Sequence, residues 1–164
     1  MRLIVAVNAD WGIGFEGDLL VRIPTDLRRF KSMTIGKTVL MGRKTLETMP
    51  GGKPLPGRRN LVMTRNRDFS VPGAETLHSV GEALRLAETI PPDDLFIIGG
   101  ADIYRTFLPY CTRAHVTRFS APRRADAFFP PLDAMPDWRE EGRSEPMEEN
   151  GIPFVYVDYV RAPK

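Results

Sequence analysis

The sequence has one cysteine, no long hydrophobic run and no block of like charge, and each shortage removes a class of protein. Cys111 alone cannot close a disulfide within the chain. Nothing near it has metal-ligand spacing, so no metal is expected and a reducing, cytoplasmic setting is the default. No segment approaches the ~18 consecutive apolar residues of a membrane span. The opening MRLIVAV has one positive charge and too short an apolar run for a signal-peptide core, and it reads as a strand. Lys and Arg number 23 against 21 Asp and Glu, a net charge of +2, and they form no arm of the kind that holds nucleic acid. A pI of about 8.8 suits a small anionic ligand better than a polyanion. Repeats, low-complexity tracts and a convincing linker are also missing. Residues 1–164 therefore read as one domain, long enough to bury roughly 70% of the unfolded surface without staples.

Turn chemistry is plentiful. The 15 Pro and 14 Gly sit in a chain that is 42% hydrophobic, which predicts ordered loops and not disorder. Between the turns run LIVAV (3–7), TVLMG (38–42), NLVMT (60–64) and DLFIIGG (94–100). Continuous apolar runs bounded by turn residues are the pattern of strands buried on both faces of a parallel sheet. Helical patterns lie at 24–33, 44–49, 79–88 and 101–109, with Ser79 as N-cap and Glu82 as its capping-box partner. Strands alternating with helices predict an α/β fold, a doubly wound, mainly parallel sheet with helices on both faces. The tail differs. RAHVTRF (113–119) and PFVYVDYVR (153–161) have no useful helix between them, and ENGIP carries an Asn-Gly turn signal, so an antiparallel C-terminal strand is expected.

RIPTDLRRFK (22–31) poses a question of its own. Pro24 can open a helix. Ile23, Leu27 and Phe30 form its apolar stripe, and Asp26 projects from the margin of that stripe, in line with Phe30 and Met33. An acid in a first helical turn is favoured by the macrodipole, which is the simpler explanation. A carboxylate aimed at a ligand is the other.

Ligands in such sheets bind at the carboxyl ends of strands, where strand order reverses. TVLMGRKT runs a strand into Gly42, Arg43 and Lys44, and LFIIGGADIY runs another into Gly99 and Gly100. Glycines let backbone N–H groups approach a ligand, and helix starts favour phosphate. Neither turn carries G-x-G-x-x-G, so neither is an ordinary Rossmann fingerprint. With Arg65 ending NLVMTR, these turns suit a phosphorylated cofactor, and a dinucleotide better than a mononucleotide.

NADWGIGFEGDLLVRIPTDLRRFK, VLMGRKTLETM, PLPGRRN and FIIGGADIYRTFLP, in this order and spacing, resemble dihydrofolate reductase across nearly the whole chain. The resemblance implies hydride transfer from NADPH to 7,8-dihydrofolate, giving tetrahydrofolate for one-carbon metabolism. It makes Asp26 the ionisable group of the pterin pocket, favouring protonation of the neighbouring imine nitrogen, with Thr117 its hydroxyl partner. It places Val5, Ala6, Leu27, Phe30, Met49, Leu55, Ile98 and Tyr104 around the substrate rings. Arg58 would pair with the glutamate α-carboxylate. Ala6, Ile13 and Leu19 would meet the nicotinamide side of the cofactor, with residues 8–20 as a closing lid. Gly42, Arg43, Lys44, Thr45, Thr64 and Arg65 would hold the adenosine-phosphate side, and Gly99, Gly100, Ala101, Asp102 and Ile103 the pyrophosphate turn. Ala101 stands where the family often has a third Gly, and Val21 where many relatives have Trp. The resemblance also implies a monomer that binds antifolates. A reductase of another heterocycle on the same architecture and a non-catalytic nucleotide-binding module are the alternatives.

Overall fold

A computed structural model describes residues 1–121 and 124–163. The chain begins β1 (Arg2–Val7), β2 (Gly12–Phe15), β3 (Asp18–Leu19), α1 (Pro24–Thr34), β4 (Thr38–Gly42) and α2 (Arg43–Glu47). It continues β5 (Arg59–Met63), β6 (Ala74–Leu77), α3 (Val80–Ala87), β7 (Leu95–Gly99), α4 (Ala101–Phe107) and β8 (Arg113–Phe119). It closes with β9 (Ala127–Phe128), β10 (Trp138–Arg143), β11 (Met147–Glu149) and β12 (Ile152–Arg161).

The main sheet runs β10-β12-β8-β1-β7-β4-β5-β6, with β11 paired to β12. From β8 to β6 every pairing is parallel, and β12 joins β8 antiparallel, as the tail pattern predicts. The Asn150-Gly151 turn has φ of 54° and 78°, the left-handed pair a tight hairpin requires. The chain leaves β1, skips to β4 and later returns through β7 to fill the gap, so the order reverses beside β1 and β7. That reversal opens the crevice at their carboxyl ends.

Successive strand residues face opposite layers, and two cores result. Leu3, Val5, Leu40, Leu61 and Ile97 pack with Ala83 of α3 and with Tyr104 and Phe107 of α4. Ile4, Val39, Met41, Val62 and Ile98 pack with Phe30 and Met33 of α1 and with Leu46 of α2.

Helix boundaries follow local chemistry. The spacing predicts α2 through Met49, but it ends at Glu47, because Met49 precedes Pro50 and takes extended ψ. α4 stops at Phe107 and a 3₁₀ turn over Leu108–Tyr110 carries Pro109, which has no N–H to give. Ser79 caps α3 as expected, accepting from the Glu82 N–H at 3.1 Å, while Glu82 Oε2 accepts from the His78 N–H at 3.0 Å. Ser79→Ala is expected to cost about 1 kcal/mol in denaturant unfolding. An unchanged midpoint would mean the cap adds nothing. Among the described residues no helix is long and apolar enough to cross a membrane.

Candidate active site

α1 owes its start to a residue far away in sequence. Ile23 offers no side-chain cap, and the Thr25 N–H donates to Glu149 Oε1 at 2.9 Å, with the Thr25 hydroxyl on Oε2 of the same carboxylate. Those hydrogen bonds hold the Glu149 carboxyl below its ordinary range. The helix start already has its anion, and Asp26 is left over for something else.

Thr117, on β8, donates its hydroxyl to Asp26 Oδ1 at 2.6 Å. Burial raises the Asp26 pKa above its usual value, while the Thr117 hydrogen bond and the Arg29 charge pull against that rise. Such a carboxylate titrates nearer neutrality than a solvated one, the condition for acid–base work. Asp26 opens onto a small cavity of about 40 Å³ walled by Ala6, Ile13, Leu19, Leu20, Val21, Ile23, Leu27 and Phe119. Val21 belongs to this wall. Leu27 is 44% exposed, so it borders the cleft where the helical pattern predicts core.

Ala6, Ile13 and Leu19 are shared with a larger cleft of about 260 Å³. Val5, Ile98, Gly99, Gly100, Ala101 and Tyr104 line it from the strand ends, and Lys44, Thr45 and Thr48 from α2 and the turn after it. Tyr104 is not a proton source: its hydroxyl donates to the Ile4 carbonyl at 2.6 Å, and burial drives its pKa far up. The glycines let these turns pack closely on one another. A Cβ at Gly100 would come within 3.3 Å of Thr45 Oγ1, and one at Gly42 within 3.1 Å of Ile103. Gly99 has φ of 126°, a conformation L side chains rarely take. The first N–H groups of α4 have no partner within the helix. Backbone donors, the Lys44 ammonium and an apolar wall together suit a phosphorylated ring cofactor.

Other expected residues stand further out. Arg43 lies over the Phe69 ring at 4.3 Å and reaches Glu47 at 3.4 Å, and Arg65 is exposed just beyond β5. The Thr64 carbonyl meets His78 Nδ1 at 2.9 Å. Asp102 pairs with Arg105, pointing along α4. Phe30 and Met49 pack on the second core beside Leu55 and Ile98. Leu55 and Arg58 line a separate groove with Lys53. Arg58 is held there by Nε on the Pro56 carbonyl at 3.0 Å and Nη1 on Thr34 Oγ1 at 3.1 Å.

The expected lid is ordered into a second sheet, β3-β2-β9, which pairs Gly14 with Leu19 and with Ala127. Gly12, Gly14 and Gly17 do have G-x-G-x-x-G spacing, but they form a hairpin here and open no helix. Trp11 is buried at the root of this lid, 6.2 Å from Phe129 and 6.0 Å from Tyr159 between ring centres, with Arg118 4.8 Å above it. It anchors the lid and is not part of the wall around Asp26. Phe15, Thr48 and Ala127 also line the large cleft. Phe15 and Thr48 sit within quoted motifs, but Ala127 arrives from a segment with no local signal. Among the described residues no cluster could hold a metal ion, and burial pushes the Cys111 thiol up to about 12.

The family model for dihydrofolate reductase matches residues 1–161. The chain is 39% identical to a dihydrofolate reductase of Neisseria meningitidis over 162 residues, covering 98% of each. It is 40% identical to one of Mycobacterium tuberculosis over 164 residues, covering 98% of this chain and 97% of the other. A solved dihydrofolate reductase of Enterococcus faecalis, in complex with NADP(H) and RAB-propyl, superposes with a TM-score of 0.88. That pair is 31% identical over 99% of this chain and 96% of the other.

Proposed function

This chain belongs to the dihydrofolate reductase family, an NADPH-dependent oxidoreductase that reduces 7,8-dihydrofolate to tetrahydrofolate, and we propose how its own residues divide that work. The observation that carries the assignment is Asp26: a part-buried carboxylate with raised pKa, bonded by Thr117, opening into an otherwise apolar cavity beside the larger cleft. When bound, NADPH supplies the hydride.

Asp26 accepts hydrogen bonds from the amidine-like edge of the pterin and favours a proton on the nearby imine nitrogen, which makes the adjacent carbon electrophilic. Thr117 fixes the carboxylate in place. The proton reaches the imine through solvent, since Asp26 need not touch that nitrogen itself. Ala6, Ile98 and Leu27 exclude water from the ring. Arg58 grips the substrate's glutamate carboxylate, and the lid over 8–20 closes the nicotinamide side. Gly42, Lys44, Thr45 and Gly99 to Ile103 hold the phosphates. Antifolates would compete for the Asp26 pocket. A monomer in the cytoplasm is the proposed state, in keeping with an inert, buried Cys111.

Absorbance loss on mixing NADPH, dihydrofolate and the protein tests the reading. Turnover of a pyrimidine substrate in place of dihydrofolate would overturn it, as would binding without turnover. NADPH is expected to be preferred over NADH, because Arg43, Lys44 and Arg65 follow the carboxyl ends of the neighbouring strands β4 and β5, where a 2′-phosphate would gain charge-assisted hydrogen bonds. Neutralising Arg43 and Arg65 should raise KM for NADPH and barely change it for NADH. Equal use of both cofactors by the unaltered protein would contradict this.

A further inference from the structure

Arg29 lies one helical turn after Asp26, and its guanidinium carbon sits 3.8 Å above the centre of the Tyr156 ring. Its anionic partner is distant: Asp158 Oδ1 is 3.8 Å from Nη2 and takes a far shorter contact, 2.8 Å, from His115 Nδ1. Among the described residues Arg29 Nη1 and the Tyr156 hydroxyl are buried without a hydrogen-bond partner. Tyr156 stands directly opposite Thr117 across the β8–β12 ladder, and Thr117 bonds Asp26. The two orphaned groups and the carboxylate therefore belong to one cluster, joined through Tyr156 and Thr117.

A part-buried guanidinium with a remote partner and an unmet N–H is a poor staple, since the buried unmet donor and the partly desolvated charge both cost stability. We infer that Arg29 is a positioning residue that sets the charge state of Asp26, its guanidinium standing behind the carboxylate as the cation that offsets burial. The inference rests on the proposed role of Asp26 and deepens it.

The surroundings of Asp26 leave this to Arg29. On α1, Arg28 is turned to the Thr25 hydroxyl at 2.9 Å, beside Glu149 of β11. From β8 comes neutral Thr117, and from β12 come Tyr156, kept protonated by burial and the Asp26 charge, and Asp158. From α4 comes Tyr104, committed to the Ile4 carbonyl. The cavity side is apolar apart from Asp26. Burial pushes the Asp26 pKa up, and Arg29 is the one cation among the described residues that pulls it down. The same charge also opposes a second positive charge on a bound pterin. Arg29 thus favours the ionised form of Asp26 and lowers the pH at which the carboxylate–pterin pair gives up its shared proton.

The test is a carboxyl-carbon NMR titration of the ligand-free protein with labelled aspartate, in which Asp26→Asn identifies the Asp26 signal. Arg29→Met is expected to raise the Asp26 midpoint by about one pH unit, the low end of the effect of a nearby opposite charge. The alkaline limb of single-turnover hydride transfer should move up with it. Arg29→Lys should restore both midpoints. Arg29→Gln, which keeps a donor for Asp158, serves as a second neutral variant and should behave like Arg29→Met. An Asp26 midpoint unmoved in a folded neutral variant overturns the inference, and so does Arg29→Lys behaving like Arg29→Met. Failure of the Asp26 role itself looks different: Asp26→Asn would then transfer hydride normally, whatever the carboxyl titration reports.

Discussion

Asp26→Asn is expected to give a folded protein whose hydride transfer at neutral pH falls by roughly 10²–10⁴-fold, the range for a positioned acid–base group. The amide keeps the shape of the carboxylate and can still meet Thr117. The first turn of α1 does not depend on Asp26 for an anion, because Glu149 already bonds Thr25. Stability should rise or stay level. Burial holds the folded-state pKa of Asp26 above its unfolded value, so folding disfavours the ionised form. That penalty is complete above the folded midpoint and absent below the unfolded one. Asparagine escapes it, so the variant's melting temperature at neutral pH should match or exceed the parent's, with the difference closing on acidification. A slow variant that also melts early would point to misfolding and against the proposed role.

Arg58→Ala is expected to weaken dihydrofolate binding ten- to hundredfold while single-turnover hydride transfer at saturation barely changes. The guanidinium is pre-oriented by Pro56 and Thr34, which use Nε and Nη1 and leave Nη2 for a carboxylate. Charge-assisted hydrogen bonds are worth roughly 1.5–3 kcal/mol, and about 1.4 kcal/mol is tenfold in Kd. The grip lies remote from the reacting carbon, so it acts as uniform binding and leaves the barrier alone. Lysine should rescue little, because a point charge does not reproduce the planar fork. An unchanged dissociation constant would remove Arg58 from the substrate site.

The parallel core strands are legible in the sequence because burial on both faces writes itself as an unbroken apolar run, as in LFII before Gly99. The Ser79 cap and the Asn150-Gly151 turn are local chemistry and appear where expected, although Glu82 reaches the His78 N–H in place of that of Ser79. β10 leaves no such trace: of its six residues Trp138 alone is buried, and the other five, REEGR, read as a charged loop. That charge blunts an edge strand, so the residues that hide it from periodicity are the ones its position calls for. The lid sheet is equally hidden, because Ala127 pairs with Gly14 across more than a hundred residues.

The site divides the same way. Gly42, Lys44, Gly99 and Gly100 sit in turns whose composition announces a ligand. Asp26 is ambiguous in its own stretch, where the macrodipole explains it as well as chemistry does. What weighs toward chemistry comes from far along the chain: Glu149, 124 positions from Thr25, bonds the helix start, and Thr117 and Tyr156 arrive from β8 and β12. Arg29 reads in sequence as one more cation on a solvated face, and the fold turns it inward over Tyr156.

The most direct test of Asp26 as the group that favours substrate protonation is single-turnover hydride transfer against pH, run on the parent and on Asp26→Asn. The parent should hold its rate up to neutral pH and lose it toward alkaline pH as the carboxylate–pterin pair deprotonates. The variant should be slow at neutral pH and climb steadily with acid, because solvent must protonate the imine unaided. Two parallel profiles of equal height would contradict the account.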